Sequence, residues 1–357
     1  MIYLINAIYS ILYFYLIRKC KRINFIIFFP IFFIWLMILG FQYGVGTDYF
    51  NYLRIYKNIN GIQLLYFYQK EYIFYYFLKL LNFFSKNGQL LFICVSILEN
   101  IIFYIFLKKL VNFKLVKIKE IYIFIFIFLC FGTSFYNQMN TLRQYFNIYL
   151  FSLAVIYLLF NKKIKYILLI LIGSYIHKSM LYLLPIIGIK IFIKKLKIGY
   201  LYFLLVFSCC FIFFPMEDIY IYIVNYIPRY NAYIESRFFS EVHLQAQITK
   251  IIFIPFYFEA IKLIKKEKNE NIIMLLKVGL LSFMLRIISL KNVMMTRMSE
   301  YFIILSIFPI YYLIIYYYKN QKKMELCCLI SMIFGLFLIK ILIFPKGEYL
   351  YSSYFFN

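Results

Sequence analysis

Apolar runs of Ile, Leu, Phe and Tyr follow one another along nearly the whole chain, each closed by a short polar or basic stretch. A helix needs about 20 apolar residues to cross the ~30 Å of bilayer hydrocarbon, where only structures that satisfy their own backbone hydrogen bonds survive. On that measure the runs at 2–17, 23–41, 88–107, 121–136, 145–160, 164–176, 180–193, 199–215, 248–264, 271–287, 298–318 and 324–344 read as spans, about 12 in all. The fold class is therefore an all-α polytopic membrane protein. One further run, 72–84, is short, and Glu71, Lys79, Asn82 and Lys86 recur beside it at helical spacings. We read it as an amphipathic helix at the outer interface, with a shallow re-entrant segment as the competing reading. The chain reads as a single transmembrane domain over 1–357, with one substantial polar insertion, 216–247, read as an outer loop.

Composition agrees with the pattern: of 357 residues 65% are hydrophobic and only 15% charged, with a mean hydropathy of +0.83. The net charge of +25 invites a nucleic-acid reading, but its distribution excludes one. Lys and Arg gather at the ends of apolar runs: Arg18 to Arg22, Lys108 to Lys119, Lys162 to Lys165, Lys190 to Lys197, Lys262 to Lys268, and Lys319 to Lys323. By the positive-inside rule these six clusters mark cytoplasmic loops. An even number of crossings then separates consecutive clusters, and both termini fall outside. The first span lacks a basic leader and a small-residue cleavage site, so it reads as retained. The 7 cysteines lie in or beside spans without metal-ligand spacing, and read as small apolar residues. Neither a metal nor a cofactor is expected.

Sorted by this topology, the chemically versatile residues outside the clusters fall on the outer face. Asp48 and Arg54 follow the second span within "FQYGVGTDYFNY", where Gly44 and Gly46 supply a tight turn. "YNQMNTLRQYFN" (136–147) repeats Asn137, Asn140, Gln144 and Asn147 at spacings of three and four, a polar stripe on one helical face with Arg143 beside it. Ser174, His177 and Lys178 share another predicted helical face, at a turn between two spans too short to lift it clear of the bilayer. Arg229, Arg237 and His243 lie in the outer loop; Arg286, Lys291 and Arg297 surround a further outer turn. Ionisable groups at such depth line a cavity, pair, or bind substrate.

Plainer roles compete at each position. Arg54 and Lys291 suit snorkelling anchors, His177 a structural hydrogen bond, Arg297 a pair with Glu300 three residues on, and His243 an ordinary polar loop. Four polar residues crowded into "NTLRQ" (140–144) at a span's end have no packing rationale in lipid.

"YGVGTDYFNY" (43–52), "NTLRQ", "SYIHKSML" (174–181), "TRMSEYFIILSIFP" (296–309) and the aromatic tail "YLYSSYFF" (349–356), in this order, resemble the EpsG-like family of exopolysaccharide polymerases, relatives in role of the Wzy-type O-antigen and capsule polymerases. The resemblance runs from about residue 40 to the end. One departure is Gln42, which stands where the family usually carries an arginine. The resemblance implies a glycosyltransferase that polymerises oligosaccharide repeat units carried on undecaprenyl diphosphate at the outer face of a bacterial cytoplasmic membrane. Its partners would be that lipid-linked oligosaccharide, membrane lipids, and a flippase and chain-length regulator of the same pathway, without nucleic acid.

Such chemistry needs a base for the acceptor hydroxyl and cations for the departing diphosphate. For the base, His177 is preferred to Asp48 because imidazole titrates near neutral pH. Arg143, Lys178 and Arg297, with Arg286 as an addition, suit diphosphate, and Asn140 and Gln144 suit substrate contacts. An outer-face ligase or transferase using the same carrier is the nearest alternative. A flippase or exporter would place charges through the midplane, where only Glu99, Glu259 and Lys277 stand out.

Overall fold

A computed structural model describes residues 1–58, 61–131, 134–213, 222, 244–343, 345 and 350–356. The chain forms helices where the apolar runs predict them: α1 (Ile2–Leu16), α2 (Phe25–Gly40), α3 (Tyr49–Lys57), α4 (Ile62–Tyr68), α5 (Tyr72–Phe84), α6 (Gln89–Asn112), α7 (Ile121–Cys130), α8 (Leu142–Leu159), α9 (Lys163–Ser174), α10 (Ile186–Lys195) and α11 (Ile198–Cys210). Further helices include Leu244–Ile251, Ile254–Lys266, Glu270–Ile288, Phe308–Lys319 and Lys323–Leu338. Five helices among the described residues are long and apolar enough to cross a membrane: Gln89–Asn112, Leu142–Leu159, Glu270–Ile288, Met295–Lys319 and Lys323–Ile343. The protein is an all-α polytopic membrane protein; most of the other expected spans form shorter apolar helices.

Chain contacts divide it into two compact units, one of Met1–Ile189 with Met324–Asn357, the other of Lys190–Lys323. Of the expected outer loop 216–247, residue 222 and the start of the helix Leu244–Ile251 are described; Arg229, Arg237 and His243 lie outside the described residues.

The first unit is built around α8, which buries nearly its whole length. Trp35 of α2 packs against Phe103 of α6 and Phe135, ring centroids 5.2 and 4.7 Å away. Its indole donates to Ser10 Oγ at 3.2 Å, giving the one polar atom of that side chain a partner. α2 and α6 approach closely at Gly40, where an added Cβ would lie 3.2 Å from the Ile93 backbone. Tyr49, Tyr52, Tyr56, Tyr66, Phe74 and Leu142 form a second apolar cluster joining α3, α4 and α5 to the start of α8.

The amphipathic helix exists at the expected place, as α5. Its polar stripe does not. Lys79 and Lys86 are exposed, whereas Glu71 and Asn82 are buried; Asn82 Nδ2 donates to the Tyr56 carbonyl at 2.9 Å. Spacing along one helix reveals a shared face but not which members meet a neighbouring element.

In the second unit Lys277 is explained structurally: its ammonium donates to the carbonyls of Ile193, Lys194 and Leu196 at 3.1, 3.4 and 2.7 Å, closing the end of α10. Glu259 accepts from the Tyr317 hydroxyl and lies 3.5 Å from Lys262.

Candidate functional site

Glu71 is the centre of the polar cluster, and a tight helix end puts it there. α4 closes in a Schellman motif: Lys70 takes φ of 62° and donates to the Phe67 carbonyl at 2.9 Å, and Glu71 N donates to the Tyr66 carbonyl at 2.8 Å. The chain then turns directly into α5. The Tyr175 carbonyl accepts from Ile73 N at 3.1 Å, filling one of the unpaired donors at the start of α5. In return, the Glu71 carboxylate accepts from Lys178 N at 3.0 Å. Two chain segments far apart in sequence thus clasp each other through backbone groups.

That clasp delivers two cationic or potentially cationic side chains to one carboxylate. Arg143 Nη1 lies 2.5 Å from Glu71 Oε2, and His177 Nδ1 lies 3.0 Å from Glu71 Oε1. The Glu71 side chain is 1% exposed, that of Arg143 19% and that of His177 29%, so the acid is sealed beneath the imidazole while the imidazole meets the outside. Burial pushes the Glu71 carboxyl up, but the His177 bond, the Arg143 charge and the Lys178 N–H outweigh it and hold the group below its ordinary 4.5. An ionised carboxylate only accepts, so His177 donates from Nδ1, and in the neutral ring Nε2 is the proton-accepting atom.

Arg143 occupies the first turn of α8, where the helix dipole disfavours a cation. Glu71 offsets that. The guanidinium also lies over the Tyr66 and Phe74 rings, 4.5 and 5.1 Å from their centroids, and bonds the Tyr52 hydroxyl. Burial keeps the Tyr52 hydroxyl protonated, above its ordinary 10.0, against the opposing pull of Arg143. The Asp48 charge raises the Tyr52 and Tyr66 hydroxyls further.

His177 is fixed from its backbone as well. Asn147 Nδ2 donates to the Gly173 and His177 carbonyls at 2.9 and 3.2 Å. Gly173 has no room for a side chain, since an added Cβ would lie 2.0 Å from Met180 Sδ. Here the structure corrects the expected helical face. α9 ends at Ser174 and His177 is extended, at φ −148° and ψ 115°. The extended residue is what swings the imidazole towards Glu71.

The polar stripe of 136–147 is also broken. Tyr136–Met139 form a 3₁₀ turn, Thr141 leaves the helical region, and α8 starts only at Leu142. Asn140 therefore faces another element: its Oδ1 accepts from Thr47 N at 2.8 Å, Thr47 Oγ1 at 3.2 Å and Asp48 N at 3.1 Å. Gly46, at φ 76°, makes this approach possible, because an added Cβ would sit 2.6 Å from Asn140 Oδ1; Gly44 takes φ of 62°. Asp48 then starts α3 without capping it through its side chain. Gln144 is half-buried in the first turn of α8, and the Lys178 side chain is half-buried.

The opening motif and the aromatic tail meet. Tyr43 N donates to the Ser352 carbonyl at 2.9 Å and Tyr354 N to the Phe41 carbonyl at 2.8 Å, and the Phe41 and Phe355 rings stack at 4.7 Å. Gln42 is buried in this clasp, and its carbonyl accepts from Gln89 Nε2 at 3.0 Å. Gln89 also holds the Gly40 carbonyl and accepts from the Tyr49 hydroxyl.

Arg286 and Arg297 belong to the second unit. Arg286 is buried within Glu270–Ile288 and donates to Ser306 Oγ at 3.1 Å, beside the stacked Tyr257 and Phe283 rings. Arg297 is exposed on the short helix Val293–Ser299. Arg54 is exposed and reaches Asn51 at 3.3 Å, in keeping with an anchor. Sequence reasoning missed Glu71 and Gln89 as site and scaffold residues. Glu71 had one detectable feature, an acid at the start of an apolar helix.

A family model described as the EpsG family matches residues 24–356, so the chain belongs to that family of exopolysaccharide repeat-unit polymerases. No curated protein and no solved structure matches the chain.

Proposed function

We propose that this protein joins oligosaccharide repeat units carried on undecaprenyl diphosphate at the outer face of a bacterial cytoplasmic membrane. Family membership supports a polysaccharide-polymerase role in a membrane pathway. The observation that carries the mechanism is the His177–Glu71–Arg143 array, a half-exposed imidazole whose Nδ1 is anchored on a buried carboxylate.

In this reading His177 Nε2 takes the proton from the acceptor sugar hydroxyl. The acceptor oxygen forms a bond to the anomeric carbon of the donor glycan as the anomeric C–O bond to the diphosphate breaks. The proton resides on the imidazole, and the electron pair leaves with the lipid diphosphate. Glu71 fixes the tautomer and stabilises the imidazolium that forms. Arg143 keeps Glu71 ionised and, through its exposed edge, shares with Lys178 the task of holding diphosphate oxygens. Arg297 and, as a weaker addition, Arg286 remain proposed diphosphate contacts; Arg286 is buried and donates to Ser306 Oγ. Asp48, started on its helix by the Asn140 clasp, orients the acceptor or a neighbouring cation, and Gln144 offers an amide beside Arg143.

A deletion strain tests the reaction class. A polymerase leaves single lipid-linked repeat units accumulating; a ligase would leave long unattached polymer. If His177→Ala and Asp48→Asn, present at normal levels, both leave polymer length unchanged, the assignment of the site is wrong.

A further inference from the structure

Where the chain leaves α2, the carbonyls of three successive residues accept hydrogen bonds from outside the segment. Those of Gly40 and Gln42 accept from Gln89 Nε2 at 2.7 and 3.0 Å. That of Phe41 accepts from Tyr354 N, and Tyr43 N donates to the Ser352 carbonyl, so Gln42 and Ser353 face each other as an antiparallel pair. Asn87 Nδ2 donates to the Tyr354 hydroxyl at 3.0 Å, and Phe355 stacks on Phe41. The segment runs directly into Gly44 and Gly46, both at positive φ, and the loop ends where the Thr47 and Asp48 amides rest on Asn140. Glycines give up the most backbone freedom on ordering, so the loop keeps one shape only while both of its ends are held.

We propose that residues 352–355 are a positioning strap for the loop that carries Asp48, acting on the reaction through that loop. Two observations separate this role from packing. The spanning helix Lys323–Ile343, which leads to the tail, is only 22% buried, against 61% or more for the other four long apolar helices among the described residues. Tyr354, Phe355 and Phe356 are themselves exposed. The tail thus adds little apolar burial to the first unit, yet it aims a backbone donor and a backbone acceptor at the root of the glycine loop. Its loss should cost position more than stability. The inference rests on the proposed role of Asp48 in orienting the acceptor or a neighbouring cation.

The test uses the purified full chain. Tyr354→Pro deletes the N–H that reaches Phe41 at a place suited to proline, since Tyr354 opens a 3₁₀ turn and Ser353 before it lies in the extended pair. Hydrogen exchange at the Thr47 and Asp48 amides, at the far end of the loop, should quicken. Polymerisation at saturating lipid-linked repeat unit should slow ~10-fold, with the unfolding midpoint shifted by less than about 2 °C. In an Asp48→Asn background Tyr354→Pro should slow the reaction no further. Gln42→Cys with Ser353→Cys then replaces the strap by a covalent tie, because such a non-hydrogen-bonded pair sets its Cα atoms ~4.5 Å apart, within disulfide range. In the Tyr354→Pro chain, oxidation of this pair should restore the rate and reductant should remove the gain, whereas Ser353→Cys alone should do neither. Unchanged exchange at Thr47 and Asp48, a loss of rate additive with Asp48→Asn, or failure of the disulfide to form or to rescue would overturn the proposal. Polymer formation at an unchanged rate in Tyr354→Pro defeats the strap alone. Quickened exchange in a protein whose wild type forms no polymer defeats the polymerase reading alone.

Discussion

Glu71 and His177 lie 106 positions apart in the chain, yet Glu71 Oε1 sits 3.0 Å from His177 Nδ1 and also accepts the Lys178 backbone N–H. One buried carboxylate thereby fixes both the side chain of one residue and the backbone of the next. The contact depends on a helix end at Lys70, an extended residue at His177 and the Asn147 amide, and each of these can be tested separately.

Glu71→Gln retains an acceptor for Nδ1–H and the Lys178 N–H but removes the charge. We expect kcat of polymerisation to fall ~100-fold, with little change in KM. The acid limb of the rate profile should move to lower pH, because the imidazolium loses its anionic partner. The Glu71→Gln/His177→Ala double variant should be no slower than His177→Ala alone, since the two residues act as a unit. Rates of steady-state chain growth across pH measure all three.

The pH dependence of stability has a defined sign. Because the folded Glu71 carboxyl is held below its ordinary 4.5, its contribution is fully present above that value and is lost as pH falls through the folded pKa. Thermal unfolding in detergent should therefore show an advantage of the wild type over Glu71→Gln that shrinks as the pH falls below about 4.5. An advantage that grew as the pH fell below about 4.5 would contradict the ion-pair assignment.

Arg143→Ala strands a buried carboxylate and should cost about 3 kcal/mol of stability. Arg143→Lys should recover only part of it, because an ammonium cannot both grip Glu71 and lie flat over Tyr66 and Phe74. Chemical denaturation of the purified variants checks the order wild type, Lys, Ala.

Gly46→Ala combines an unfavourable φ of 76° with a Cβ placed 2.6 Å from Asn140 Oδ1. Its cost should exceed ~1 kcal/mol. Asn140→Ala, which leaves the Thr47 and Asp48 amides without their acceptor, should cost ~1–3 kcal/mol. In the Asn140→Ala background Gly46→Ala should cost less than alone, since only the backbone strain remains. Unfolding midpoints of the four proteins measure the coupling.

The helices were legible in the sequence because membrane-length apolar runs leave little choice of structure, and Arg143 and His177 stood out as ionisable residues beside such runs. Glu71 did not, because its partners are 72 and 106 positions away and periodicity reports only on one element at a time. The same limit misread Asn140 and Asn147 as members of one stripe. A 3₁₀ turn and the break at Thr141 rotate them apart, so that one clasps the Gly46 loop and the other His177. Gln42 shows the reverse: a residue singled out by its departure from the family pattern is a buried member of the tail clasp.

The central claim is that glycan already carried on a lipid diphosphate is the donor, with His177 taking the acceptor proton. Its most direct measurement is the product distribution from purified protein given a defined undecaprenyl-diphosphate-linked repeat unit, with no nucleotide sugar and no added metal. The account predicts a ladder of products spaced by one repeat unit, abolished in His177→Ala. Strict dependence of chain growth on a nucleotide sugar would contradict it.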